Sequence, residues 1–313
     1  MILWSTGQLE RAAACTLCGS AQTHPLVERP DKLPLHECAA CRFAFLALRP
    51  SAAALAGIYD GAYFQESETY QDYFNYAEAM ADLNYCPRLH RLRPWLHEWR
   101  GRRVLDVGCA AGGTLVILRG QGARVQGIEL SAAACCVARE KFGLELFQGR
   151  LEDAPLPRET LDAILMFDVL EHLPEPGRAL ERLLAALVPG GHLALTVPNF
   201  DCFDREGTAW RGLTGFQEHL NYFRAEVLRH GLEARGAQVL ETHTYTTGTG
   251  PPPTLARRRL VRSLRDKLPW LNRPFRALRK LRFRLRGEPP LDRRVDGSGM
   301  DLFVLCRKSR SSP

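Results

Sequence analysis

Residues 104–113 read VLDVGCAAGG, an apolar run that ends on Asp106 and passes through Gly108 and Gly112 into a helical stretch. Glycine lets the backbone come close to a ligand, and a helix start presents free N–H groups. A polar small molecule is therefore expected at this strand-to-helix turn. About twenty residues on, GIELS at 127–131 places Glu129 at the end of a second apolar run. A carboxylate there can accept hydrogen bonds from both hydroxyls of a ribose. Alone, either feature also describes an ordinary turn or a surface carboxylate; their spacing favours a binding crevice.

Around this stretch, strands are expected at 103–107, 124–129, 144–148, 161–167, 192–197 and 238–245. Helical stretches lie between them at 113–120, 132–142, 177–187 and 225–234. Strands separated by helices of this length require crossovers that travel back along the sheet, which predicts an α/β, doubly wound Rossmann-like core over 101–250 with helices on both faces. DLFVLC at 301–306 has the length of a strand and is expected to complete the same sheet, followed by a tail, within 299–313. The intervening 251–298 then becomes an insertion. Residues 51–100 read as a helical lead-in, with Ser51 as a cap and Leu89, Leu92, Leu96 and Trp99 on one helical stripe. Tyr59, Tyr63, Phe64, Tyr70 and Tyr73 either form a lid or pack this block onto the sheet.

The 313 residues are 45% hydrophobic and 25% charged, which excludes a disordered tail protein. No apolar run approaches the roughly 18 residues that span a bilayer, and the start MILWSTGQLERAAAC lacks the pattern of a secretory signal, so a cytoplasmic chain is expected. The net charge of +7 is local: residues 257–286 hold thirteen Lys/Arg against Asp266, and the rest of the chain is acidic. In that block Leu260, Val261, Leu264 and Leu268, then Phe275, Leu278, Leu281 and Leu285, recur at helical spacing around LPWLNRP. Two basic amphipathic helices follow. They suit packing on the core, peripheral contact with anionic lipid, or contact with RNA or an acidic partner.

Cys15, Cys18, Cys38 and Cys41 form CTLC and CAAC with nineteen residues between the pairs. Two such turns each offer two thiolates, the ligand set of a structural four-cysteine zinc ribbon within residues 1–50. Four thiolates leave no open position for chemistry.

The glycine turn, Glu129, FDVLEHLPEP at 167–176, VPGG at 188–191 and TVPN at 196–199 together resemble the class I S-adenosylmethionine-dependent methyltransferases. Within these the chain is similar to the branch of the ubiquinone-biosynthesis O-methyltransferases. The resemblance implies that Asp106, Gly108, Ala110 and Gly112 line the methionine part of S-adenosylmethionine and that Glu129 holds the ribose. It also implies that Leu130 flanks the adenine, that the Leu151 backbone meets a ring nitrogen, and that Phe167 borders the sulfonium. Ala110 stands where a glycine is usual, a change the backbone absorbs if its φ is negative. Arg150 stands where relatives often carry an Asp, so the adenine amino group must turn to Glu152 or Asp153 or lose that contact.

Methyl transfer from a sulfonium chiefly needs alignment and exclusion of water; a base is required when the acceptor still holds its proton. His172 and His219, the latter in QEHLNYF, are the candidates, although His172 also reads as a structural histidine under the LPEP turn. Asp168, Glu171 and His172 match positions that hold a divalent cation in some ubiquinone-pathway relatives. The acceptor implied is a small molecule or a carrier- or lipid-linked metabolite, with oxygen as the atom methylated. Alternatives are an RNA methyltransferase, which a zinc ribbon before this fold suits, and a non-catalytic cofactor-binding scaffold. The DVLEHLPEP motif and a sheet domain that is not basic argue against nucleic acid.

Overall fold

The computed structural model describes residues 4–59, 86–246 and 299–310. It opens with five short strands, β1 (Leu9–Arg11), β2 (Thr23–Glu28), β3 (Pro34–Cys38), β4 (Ala44–Leu46) and β5 (Leu48–Pro50), and helix α1 (Ala52–Tyr59). The Ser51 hydroxyl accepts from the Ala54 N–H, the expected cap. Helix α2 (Pro87–Leu92) follows. It was expected to run on through Leu96 and Trp99, but Pro94 has no N–H for the next helical bond, and the chain leaves the helix through a turn in which the Trp95 and Leu96 N–H groups both donate to Leu92 O. Leu89, Leu92, Leu96 and Trp99 are nonetheless all buried in one cluster.

The alternating part supplies β6 (Arg103–Val107), α3 (Gly113–Gly120), β7 (Arg124–Glu129), α4 (Ala132–Phe142), β8 (Phe147–Gln148), β9 (Leu161–Phe167), α5 (Pro176–Ala186) and β10 (Leu187–Pro198). Then come β11 (Asn221–Tyr222), α6 (Ala225–Glu233), β12 (Ala237–Tyr245) and β13 (Asp301–Lys308). The seven-stranded sheet has the order β12-β13-β10-β9-β6-β7-β8. β10, β9, β6, β7 and β8 run parallel; β13 is antiparallel to both β10 and β12. The last strand therefore closes the core sheet, as its apolar run predicted. One apolar cluster covers each main face. One joins α5 and α6 to the sheet, and the other joins α2 and α3 to it.

β8 begins three residues later than expected. Gly143 ends α4 in the left-handed region, and the Leu144 N–H returns to the Ala138 carbonyl at 3.1 Å, so Leu144 belongs to the helix cap. Its side chain packs with Cys109, Leu115 and Ala138.

A second sheet has the order β11-β4-β3-β2. Three strands come from the cysteine-bearing segment and one, β11, from the chain after β10. The cysteine turn also docks on α5 and α6: the Gly177 N–H donates to Thr16 O at 3.1 Å, and Arg235 donates to Leu17 O at 2.6 Å. A Cβ on Gly177 would stand 2.6 Å from Leu17 O, so no larger residue fits under this turn. Tyr63, Phe64, Tyr70 and Tyr73 and the basic segment 257–286 lie outside the described residues. Among the described residues no helix is long and apolar enough to cross a membrane.

Candidate functional site

The order of the large sheet reverses between β6 and β9, so the loops after these strands diverge and leave a crevice at their carboxyl ends. The turn after β6 forms its floor. Gly108 has φ +69°, its N–H donates to Ile128 O at 2.8 Å, and an added Cβ would lie 2.3 Å from Val169 Cγ2. Gly112, at φ +79°, starts α3, and a Cβ there would meet Leu144 Cδ1 at 2.5 Å. Both glycines are required by conformation, and Gly108 also by the closeness of Val169.

Glu129 is buried, and its carboxylate reaches across to this turn. Oε2 accepts from the Ala110 N–H at 2.8 Å and Oε1 from the Ser131 N–H at 2.8 Å. Each oxygen retains further acceptor capacity. Burial raises its pKa, opposed by the bonds from Ser131 and Ala110. The Ser131 hydroxyl in turn accepts from the Ala134 N–H and caps α4. The side chain that ends β7 is thereby fixed to the turn that follows β6.

Ala110 does not have the negative φ that would excuse its missing hydrogen. It sits at φ +48°, held there by the bond to Glu129. An L-residue with a Cβ in this region is strained by about 1–2 kcal/mol, partly offset by the lower unfolded-state entropy of alanine. Ala110→Gly is expected to raise the melting temperature by about 1–3 °C in a thermal melt. No change, or a fall, would show that this turn carries no strain.

Above the turn, Phe167 ends β9 with the Arg88 guanidinium 5.3 Å from its ring centroid. Arg88 pairs with Asp168, whose Oδ1 also accepts from the Thr196 hydroxyl at 2.6 Å. Asp106 is buried beneath. Burial pushes its pKa up to about 8; the Arg88 charge pulls it down and the Glu129 charge pushes it up. Sequence reading missed Arg88. The available signal was an arginine four residues before Leu92, on the side of the helix that the leucine stripe buries. Leu130 is exposed, Leu151 is buried at the start of a helical turn (Leu151–Asp153), and Arg150 pairs with Glu152 at 3.4 Å.

After β9, His172 Nδ1 donates to the Glu218 carbonyl at 3.2 Å, and its ring meets the His219 ring edge-on at 4.9 Å. His219 stacks on Phe216 at 4.7 Å. Burial lowers the pKa of both imidazoles, that of His219 well below the usual value with help from the nearby His172 and Arg29 charges. Both rings are therefore neutral near pH 7. The donor atoms within 4.8 Å of one another belong to Glu171, His172 and His219. Asp168, which with Glu171 and His172 matches a cation site of some relatives, is not gathered with them and turns to Arg88 and Thr196.

Cys15, Cys18, Cys38 and Cys41 converge, with Sγ–Sγ distances of 3.7 Å for Cys15–Cys41 and 3.6 Å for Cys18–Cys38. Tetrahedral Zn–S bonds of about 2.3 Å imply sulfur separations of about 3.8 Å, so the donor set fits zinc. The two turns match: the Gly19 N–H donates to Cys15 O and the Arg42 N–H to Cys38 O, each at 2.8 Å, and both donors have positive φ.

Fold and crevice define a class I S-adenosylmethionine-dependent methyltransferase architecture. A profile of the methyltransferase domain matches residues 76–242, more than half of the sequence, and the chain belongs to that family. It is 32% identical over 130 residues to a ubiquinone biosynthesis O-methyltransferase of Alkalilimnicola ehrlichii, covering 36% of this chain and 52% of that protein. It is 27% identical over 174 residues to a protein of Mycolicibacterium smegmatis named a probable S-adenosylmethionine-dependent methyltransferase, covering 55% and 66%. The chain thus spans about half to two thirds of the length of these relatives. A solved complex of the Haloferax volcanii Trm112 methyltransferase activator with a methyltransferase superposes with a TM-score of 0.51 at 16% identity, covering 78% of this chain and 97% of that one.

Proposed function

We propose that the chain transfers a methyl group from S-adenosylmethionine to an oxygen of a small-molecule or carrier- or lipid-linked acceptor. One observation carries the reading: Glu129 is fixed to the glycine turn through the Ala110 N–H, leaving acceptor capacity for a ribose diol at the head of the crevice. The remaining groups suit the rest of the donor. The Arg88 guanidinium complements a carboxylate, Asp106 complements an ammonium, and the turn at Gly108 admits the chain between them. Leu130 and the Leu151 backbone flank the adenine, and Phe167 borders the sulfonium. When bound, S-adenosylmethionine supplies a methyl already activated on sulfur. The protein's work is to align the acceptor oxygen with the C–S bond and to keep water out. His219, neutral at pH 7, accepts the acceptor's proton as the O–C bond forms and the C–S bond breaks. His172 supports it from the side. Cys15, Cys18, Cys38 and Cys41 hold a structural zinc.

The test is transfer of labelled methyl from S-adenosylmethionine into fractionated small molecules, lipids and RNA. Label in a small molecule or lipid, lost in His219→Gln while donor binding persists, is the expected result. Label only in RNA would overturn the acceptor class, and label nowhere despite donor binding would indicate a scaffold.

Asp106 adds a pH dependence. A cationic amino group binds the ionised carboxylate in preference to the neutral one, and burial holds that pKa up near 8 in the free protein. Affinity for S-adenosylhomocysteine should therefore rise between pH 5 and 7, by up to about tenfold per unit, with proton release on binding. Calorimetry in buffers of different ionisation enthalpy checks this; a flat profile without proton release would place the amino group elsewhere.

A further inference from the structure

We propose that Arg29, paired with Asp31, is a positioning residue that sets the place of His219 from the cysteine-bearing segment; this rests on the reading of His219 as the base. Arg29 lies between β2 and β3 and is 2% exposed, with Asp31 beside it at 6%. Its five N–H donors are all used. Nε and Nη2 meet the two Asp31 oxygens at 2.8 and 2.6 Å; Nη1 donates to His219 O at 2.8 Å and to the Tyr222 hydroxyl at 3.1 Å; Nη2 also donates to Gln217 O at 2.9 Å. Burial would raise the pKa of Asp31, but the Arg29 charge and hydrogen bonds outweigh it and hold the carboxyl below its usual value.

The segment 215–220 forms neither helix nor strand; its Leu220 carbonyl accepts from the Leu46 N–H at 2.9 Å and its Glu218 carbonyl from His172 Nδ1 at 3.2 Å. The carbonyls of Gln217 and His219 are fixed by one planar guanidinium whose own plane is set by a bidentate carboxylate. A buried ion pair adds little stability relative to apolar residues of similar size, and its best-attested use is to specify one arrangement. Here the arrangement specified is the backbone of the residue whose ring stacks on Phe216 and meets His172. Other bonds join the same two parts: Thr16 donates to Asn221 Oδ1 at 3.3 Å, and the Leu46 N–H donates to Leu220 O at 2.9 Å. The cysteine-bearing segment thus builds one wall of the acceptor side.

The test uses the full chain and the double variant Arg29→Met/Asp31→Leu, which leaves neither charge buried alone. Expected are a melting temperature within a few degrees of the parent and an unchanged affinity for S-adenosylhomocysteine. Amide hydrogen exchange over 215–222 should rise about tenfold or more, with 104–112 and 161–167 unchanged. The His219 Hε1 resonance should lose the displacement that the Phe216 ring imposes. Arg29→Lys keeps the charge without the five-donor fork and should show the same local changes to a lesser degree; it decides the question if the double variant does not fold. An unaltered His219 resonance and loop exchange would overturn the proposal. So would exchange that rises evenly along the chain, the mark of a merely stabilising pair. None of these readouts needs methyl transfer, so a failed search for an acceptor leaves them intact.

Discussion

Glu129→Ala should lower affinity for S-adenosylmethionine and S-adenosylhomocysteine by at least about a hundredfold in titration calorimetry. Two charge-assisted bonds to a ribose diol are worth about 1.5–3 kcal/mol each, and tenfold in affinity corresponds to about 1.4 kcal/mol. The substitution also removes the acceptor for the Ala110 and Ser131 N–H groups, so the strained turn loses the contact that holds it. Glu129→Gln separates these effects. It preserves shape and one carbonyl acceptor but turns an amide N–H2 toward a backbone donor, and an intermediate loss is expected. If Glu129→Ala leaves donor affinity unaltered, the diol is held elsewhere.

The second large effect concerns the four cysteines. Cys38→Ser should abolish stoichiometric zinc, read by elemental analysis, and unfold at least the cysteine-bearing segment. Zinc bound by such a set contributes about 10–16 kcal/mol in isolated peptides, comparable with the whole stability of an ordinary domain of about 5–15 kcal/mol. Damage should spread along the contacts the structure shows. Phe43 and Phe45 share a cluster with Phe223, and β11 pairs with β4, so the strand after His219 loses its partner. Hydrogen exchange should rise in 15–46 and in 217–223 together, with β6 and β7 retained. Zinc-free protein that melts with the parent and shows no coupled exchange would contradict a structural metal.

Much of this was legible because its cause is local. Gly108 and Gly112 mark a left-handed turn wherever they occur after an apolar strand, Glu129 follows at strand-end spacing, and two CxxC turns announce their own geometry. The 301–306 run declared itself by length alone. What escaped reading depends on partners distant in sequence. Arg29 and Asp31 lie among prolines and lysine in what looks like a polar hairpin, and only the fold brings the carbonyls of Gln217 and His219 onto them. β11 is two residues long and has no periodicity; it is a strand because β4 is there to pair with it. Arg88 appeared as one arginine of several in 88–93 until the fold set it over Phe167. The strain at Ala110 was hidden because side-chain identity does not report φ.

A crystal structure of the full chain with S-adenosylhomocysteine would show directly where the ribose sits. Both ribose hydroxyls should lie within hydrogen-bond distance of the Glu129 carboxylate, and the amino-acid end should lie between Asp106 and Arg88. Electron density for the ligand away from the turn at Gly108, with Glu129 still turned only to Ala110 and Ser131, would contradict it.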